Sequence, residues 1–110
     1  MLVRFPHPSG ARGKRRPAVV VQADAYSAII GTVVVAEITS NLSMAADPAC
    51  LLIDVATPDG QATGLAHDSV ISCLVLATVY ADAIDLTLGA LSPALLHRLD
   101  GCLKAALGVT

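Results

Sequence analysis

Apolar residues in this chain come in short runs divided by turn-forming residues, and only the last segment follows a helical period. Leu2 to Phe5 is one such run, closed by Pro6-His7-Pro8-Ser9-Gly10, a proline- and glycine-rich loop. Val19 to Gln22 forms a second strand after Pro17, which suits the first strand position because a missing ladder donor costs little there. Asp24 to Ala28 reads as a turn or a single helical turn. Thr32 to Ile38 is β-branched enough for a third strand and ends at Thr39-Ser40-Asn41. Leu51 to Val55 is a fourth, and Thr57-Pro58-Asp59-Gly60 has turn chemistry. Ser69 to Cys73 and Val75 to Val79 supply one or two more. No long helix separates the strands, so the pattern predicts a small barrel rather than a parallel sheet.

The carboxyl end changes character. Ser92-Pro93 sets a serine at a cap and a proline at the first helical position. Leu95, Leu96, Leu99, Cys102, Leu103, Ala106 and Leu107 then recur at steps of three and four, with Arg98, Asp100 and Lys104 on the other side. Gly108 suits the left-handed residue that ends a helix. This helix is expected to pack on the barrel. Without repeats or linkers, the 110 residues are expected to form one domain over 1–110.

Composition and charge sharpen this picture. Hydrophobic residues make up 55% of the chain and aromatics 3%, so a core of Val, Ile, Leu and Ala is expected and disorder is not. The net charge of -2 is unevenly spread. Arg4, Arg12, Lys14, Arg15 and Arg16 occupy the first sixteen residues, which hold no acid; the remainder sets two cations against nine acids. A local basic cluster predicts phosphate contact better than net charge does. The apolar stretch after it, Ala18 to Val21, is too short for a secretion signal, which needs roughly 7 to 15 residues. No window approaches the roughly 20 apolar residues of a membrane span, and a cytoplasmic protein is expected. Cys50, Cys73 and Cys102 lack metal-ligand spacing and read as buried free thiols. No zinc pattern appears among His7, His67 and His97, so no metal and no cofactor are expected.

Several segments, in order, resemble the MazF/PemK toxins. They are Leu2-Val3-Arg4-Phe5-Pro6, Lys14-Arg15-Arg16-Pro17-Ala18-Val19-Val20-Val21, Ile38-Thr39-Ser40, Gly64-Leu65, Asp68-Ser69-Val70, Thr78-Val79 and Leu88-Gly89-Ala90-Leu91-Ser92. The resemblance implies a mainly β fold, an SH3-like antiparallel barrel with a carboxyl-terminal helix, working as a homodimer. It implies the toxin of a toxin–antitoxin pair, a metal-independent, sequence-specific endoribonuclease that cuts single-stranded RNA at short sequences to a 2′,3′-cyclic phosphate and a 5′-hydroxyl. It sets the family's catalytic arginine on Arg16 and its catalytic threonine on Thr39. Two departures stand out: Met1 replaces the usual Gly-Asp pair before the first strand, and Tyr80-Ala81-Asp82 follows Thr78-Val79 where members often carry basic residues.

The residue types suit that chemistry. A guanidinium presents a planar fork of donors to two phosphate oxygens, and a hydroxyl can donate to the same phosphate or hold the ribose 2′-OH in line. A free guanidinium loses its proton only above about pH 12, so Arg16 is a poor literal base. Imidazole, with an intrinsic pKa near 6.5, suits proton transfer, which leaves His7 and His67 as acid/base candidates beside their reading as surface residues. Arg4, Lys14 and Arg15 are candidates for neighbouring phosphates, and Ser40 for substrate contact or turn stabilisation. Asp68-Ser69 reads as a turn or capping unit. Glu37 alternates away from the core if Ile38 points inward, and no role is assigned to it.

A small acidic antitoxin is the partner the resemblance implies, drawn to the basic amino end in competition with RNA. The alternative function is a toxin or degenerate barrel that acts only by binding a protein. Gyrase poisons of the CcdB type share the fold, but their carboxyl-terminal tryptophan has no counterpart in a chain without tryptophan.

Overall fold

The computed structural model describes residues 2–6, 15–23, 26, 29–84 and 86–109. Its strands are β1 (Leu2–Pro6), β2 (Arg15–Val20), β3 (Thr32–Thr39), β4 (Cys50–Ile53), β5 (Ser69–Tyr80) and β6 (Leu86–Gly89). They form one antiparallel sheet in the order β4-β5-β3-β2-β1-β6, curled into a half-barrel. A short helix, α1 (Pro58–Ala62), lies between β4 and β5, and a long one, α2 (Pro93–Leu107), closes the fold. The mainly β architecture with a carboxyl-terminal helix agrees with the sequence reading.

Both faces of the sheet are apolar, because the central strands alternate two sets of buried residues. Leu2, Val19, Ala36, Ile38, Leu51, Ile53 and Ile71 face α2, which adds Leu95, Leu99 and Cys102. Ala18, Val33, Val35 and Val79 form a second cluster on the opposite face. The stripe of α2 is narrower than the periodicity suggested: Leu96 and Leu107 stay 44% and 61% exposed, because only positions in line with Leu95 and Leu99 reach the sheet. The caps follow the sequence. The Leu95 amide donates to Ser92 Oγ (3.2 Å), and Gly108 ends the helix at φ 69°.

Several boundaries differ from expectation. Strand β2 begins at Arg15, ahead of Val19, since β1 pairs with it from Leu2↔Val19 to Pro6↔Arg15. Pro17 is therefore inside the strand; the described β2–β3 pairing starts one residue later, at Ala18↔Glu37, where every residue has a donor to offer. Beyond Val20, the Val21 amide still donates to Val34 O (2.9 Å), and the Gln22 side chain donates to Thr32 O (2.9 Å) in place of a ladder bond. Of the proposed turn at 24–28 only Tyr26 is described, and it is helical. The Thr57-Pro58-Asp59-Gly60 turn opens α1, with Thr57 Oγ1 accepting from the Gly60 amide (3.0 Å). The one or two strands expected over 69–79 are a single twelve-residue strand, which runs on to Tyr80. Strand β6 has no counterpart in the sequence reading.

Glycines allow close contact between the α1 segment and β6. Gly64 has a φ of 75°, and a Cβ there would strike the Leu88 carbonyl oxygen. On the other side, the Ala90 amide donates to Ala62 O (3.1 Å). Gly64→Ala combines left-handed strain with a backbone clash and is expected to lower the unfolding free energy by about 2 kcal/mol or more, read by urea denaturation.

Cys50, Cys73 and Cys102 are buried free thiols. Burial, and secondarily the neighbouring Cys102 and Cys50, pushes the Cys73 thiol from its ordinary 9.0 up to about 11; burial also raises Cys102. The native thiol thus holds its proton at pH values where the unfolded chain releases it. Stability that is complete below about pH 9 should decline between pH 9 and 11, and urea midpoints across that range should fall less steeply for Cys73→Ala.

Candidate functional site

Strand ends meet at one corner of the half-barrel. Strand β2 starts there, β3 finishes there, and β5 begins there after the loop that follows α1. A cavity of about 520 Å³ opens at this corner. Arg4, Arg16, Thr39, Ser40 and His67 line it, above a floor that includes Pro17, Ile38, Leu65 and Leu88.

The register explains how the two central residues come together. Strand β2 pairs with β3 through Val20↔Val35, Val19↔Ala36 and Ala18↔Glu37. Carried two residues further, the same register brings Arg16 level with Thr39. By alternation both belong to the face of Ala18 and Glu37, whereas Arg4, opposite Pro17, belongs to the face of Leu2 and Val19. The cavity wraps the end of the sheet, so one cation approaches it from each face. Arg16 is exposed and Arg4 half-buried.

Thr39 sits where β3 turns away. Its Oγ1 accepts a hydrogen bond from the Asn41 amide (3.1 Å), and Asn41 Oδ1 accepts from the Ser43 amide (3.0 Å). These two short-range bonds shape the loop after the strand and leave the Thr39 hydroxyl proton available to a ligand. Ser40, next along, is exposed.

The opposite wall is the loop from Gly64 to Asp68. Thr63 Oγ1 accepts from the Leu65 amide (3.2 Å), and Ser69 Oγ donates to His67 O (2.8 Å). Asp68 Oδ1 accepts from the Val55 amide (2.9 Å), so this carboxylate braces the loop. The turn-or-capping reading of Asp68-Ser69 agrees with side chains that bond to backbone here. Among the described residues, no Asp or Glu lines the cavity, and its charged groups are cationic. No group of three or more His, Cys, Asp and Glu suited to a metal occurs among the described residues.

The cavity therefore brings together Arg4, Arg16, Thr39, Ser40 and His67 of the residues singled out in the sequence. Arg15 lies in β2 opposite Pro6, and nothing further is described of its side chain. His7 and Lys14 lie outside the described residues. The sequence reading missed Leu88, which enters from the unforeseen β6. Gly89, whose lack of a Cβ lets β6 lie against Ala62 and Thr63, is the signal that marks that close approach.

A family profile described as PemK-like, MazF-like toxin of type II toxin–antitoxin system matches residues 1–107. The chain is 34% identical over 102 residues to Endoribonuclease MazF6 of Mycobacterium tuberculosis, covering 91% of this chain and 85% of that protein. The same figures hold for Endoribonuclease MazF2 of Mycobacterium bovis. Among solved structures, Mycobacterium tuberculosis toxin MazF-mt6 superimposes with a TM-score of 0.80 at 18% identity, covering 100% of this chain and 99% of that one. A mycobacterial endoribonuclease in complex with its cognate antitoxin gives a TM-score of 0.80 at 18% identity, covering 99% and 92%. The MazE–MazF structure from Deinococcus radiodurans gives 0.73 at 20% identity, covering 99% and 92%. The superpositions match the half-barrel and its helix across nearly the whole chain. By the profile and the sequence identities, this chain belongs to the PemK-like, MazF-like toxins of type II toxin–antitoxin systems.

Proposed function

We propose that this protein is the toxin of its pair and acts as a metal-independent endoribonuclease on single-stranded RNA. The observation that carries this reading is the corner cavity: two guanidinium groups and a threonine hydroxyl around a space free of acids among the described residues. Its relatives named as endoribonucleases support the same reaction class.

The scissile phosphate sits between Arg16 and Thr39. The ribose 2′-oxygen attacks phosphorus, forming a 2′-O–P bond as its proton leaves. The P–O5′ bond breaks, and the departing oxygen takes up a proton. The products are a 2′,3′-cyclic phosphate and a 5′-hydroxyl. Arg16 stays protonated and donates to the phosphoryl oxygens as their charge grows, which favours the transition state over the bound ground state. Thr39 donates its free hydroxyl proton to the same phosphate. Its oxygen already accepts from the Asn41 amide, which polarises the hydroxyl and makes it a better donor.

Arg4 and Ser40 hold a neighbouring phosphate or sugar, and Arg15 and Lys14 extend the basic track along the chain. His67 is the proton-transfer residue supported by its place in the cavity wall. His7, which lies outside the described residues, is the other acid/base candidate. The protein works in the cytoplasm as a homodimer, which brings two basic segments to one groove and offsets the acidic total. Among the described residues no helix is long and apolar enough to cross a membrane. An acidic antitoxin neutralises the toxin by occupying the cations that RNA requires. The unit is one domain spanning residues 1–110.

With long single-stranded RNA in EDTA, the wild-type protein should give discrete cuts with cyclic-phosphate and 5′-hydroxyl ends. Arg16→Ala should cut about 100- to 1000-fold more slowly with an unchanged circular dichroism spectrum, the range expected for one lost transition-state donor. Wild-type rates in that variant would overturn its assignment. Thr39→Ser, which keeps the hydroxyl, should retain most of the activity that Thr39→Ala loses; equal loss in both would place the methyl group rather than the hydroxyl in control.

A further inference from the structure

Thr39 borders a second hollow. It lies on the outer face of the sheet, has a volume of about 360 Å³, and is walled by Glu37, Asn41, Met44, Leu74 and Val75 among others. A break in the β3–β5 register shapes it: Ala36 pairs with Leu76, yet the next residue, Glu37, pairs with Ser72. Cys73, Leu74 and Val75 consequently bulge from the ladder, leaving Leu74 55% and Val75 50% exposed. Irregularities of this kind redirect side chains and recur beside active sites.

The two hollows share Thr39 and differ in charge. The corner cavity is cationic, whereas Glu37 supplies the single charged group among the described residues of the second. A carboxylate repels phosphate and accepts hydrogen bonds without donating any. The second hollow thus suits a neutral group rich in N–H donors, placed next to a phosphate held in the first. An RNA strand passing Thr39 offers such a group in its bases.

We propose that this hollow receives an RNA base beside the scissile phosphate, and that Glu37 and Asn41 select guanine there. The proposal rests on the ribonuclease reading. Guanine presents two adjacent N–H donors, on N1 and N2, which fit the two oxygens of one carboxylate. Adenine and cytosine offer an amino group beside an acceptor nitrogen, and uracil offers one N–H flanked by carbonyls. Asn41 completes the match: its Oδ1 is engaged by the Ser43 amide (3.0 Å), so its NH2 is the end left to donate to guanine O6. Met44, Leu74 and Val75 provide apolar surface for the faces of the ring. Glu37 is half-buried, and an ionised carboxylate in that setting favours any ligand that brings donors to it. An acidic protein segment brings the wrong charge.

The test uses the full chain with long single-stranded RNA in EDTA, mapping the 5′-hydroxyl ends made by wild type, Glu37→Ala and the size-matched Glu37→Gln. Wild-type cuts should share a guanine at one fixed position within two nucleotides of the broken bond. Both variants should accept other bases there. In a short oligonucleotide, replacing that guanine by inosine removes the N2 donor and should lower wild-type kcat/KM roughly tenfold or more, with little effect on the variants. Cut sites without a fixed guanine would overturn the assignment and leave the ribonuclease standing. So would variants that keep the wild-type base preference while slowing equally at every site. A changed oligomeric state with unchanged base choice would give the hollow to a second copy of the chain and overturn the proposal. A wild-type protein that cuts nothing would remove the ribonuclease reading, and this inference with it.

Discussion

The antiparallel register between β2 and β3 governs both the core and the site. A strand has a period of two, so sliding β2 by one residue exchanges every side chain between faces. Such a slip would take Val19 out of the cluster under α2 and put Ala18 there instead, losing the volume that Ala36 and Ile38 pack against. It would also separate Arg16 from Thr39. Apolar patterning alone defines this register weakly, because both faces of the central strands are buried. Features that break the pattern define it better. Pro17 removes a donor just before the described β2–β3 pairing begins, and the β3–β5 ladder jumps at Glu37, which keeps its charge out of either core cluster.

The electrostatics of the corner follow from where the nearest acids are used. Asp68 is adjacent to His67, close enough in sequence to have neutralised the cavity, yet its carboxylate oxygen accepts the Val55 amide instead. Asp47 and Asp54 likewise accept from the amides of Ala49 (2.8 Å) and Ala56 (2.9 Å). These acids shape loops around the sheet. A chain with a net charge of -2 can present a cationic pocket because no acid among the described residues lines it, and three of the nine acids are held by backbone donors elsewhere.

What could be read in the sequence divides along physical lines. The helix α2 was legible to its caps, because Ser92, Pro93 and Gly108 are local signals that tertiary contacts did not override. The third strand was legible because Thr32 to Ile38 is almost continuously β-branched or small. Strand β2 was truncated in the reading because Arg15 and Arg16 look like loop; only pairing with β1, a long-range event, makes them strand. Strand β6 escaped for a similar reason. Leu86-Thr87-Leu88-Gly89 is four residues long, and it forms because β1 offers it an edge. Arg16 and Thr39 were singled out through the family resemblance. That they share a cavity with Arg4, Ser40 and His67 depends on register and loop closure, which spacing along the chain does not encode. Glu37 was set aside in the sequence for the sound reason that it alternates away from the core, and the hollow it lines lies against the bulge in β5, which spacing along the chain does not show.

The placement of one acid beside two arginines also bears on how such a toxin would separate its two polyanionic partners. Under the proposed function, RNA and an acidic antitoxin segment compete for Arg4 and Arg16, so the cationic cavity by itself would not distinguish them. The second hollow would. RNA places a neutral ring with N–H donors one step from each phosphate, whereas the neighbours of an acidic side chain in a peptide are backbone and further side chains. Under the proposed base-binding role, competition between the partners would be confined to the cavity they share, while Glu37 would favour RNA over any segment that brings a second carboxylate within reach. An antitoxin that occupies the cations could add affinity on apolar surface elsewhere: Ile29, Ile30, Leu107 and Val109 are exposed among the described residues.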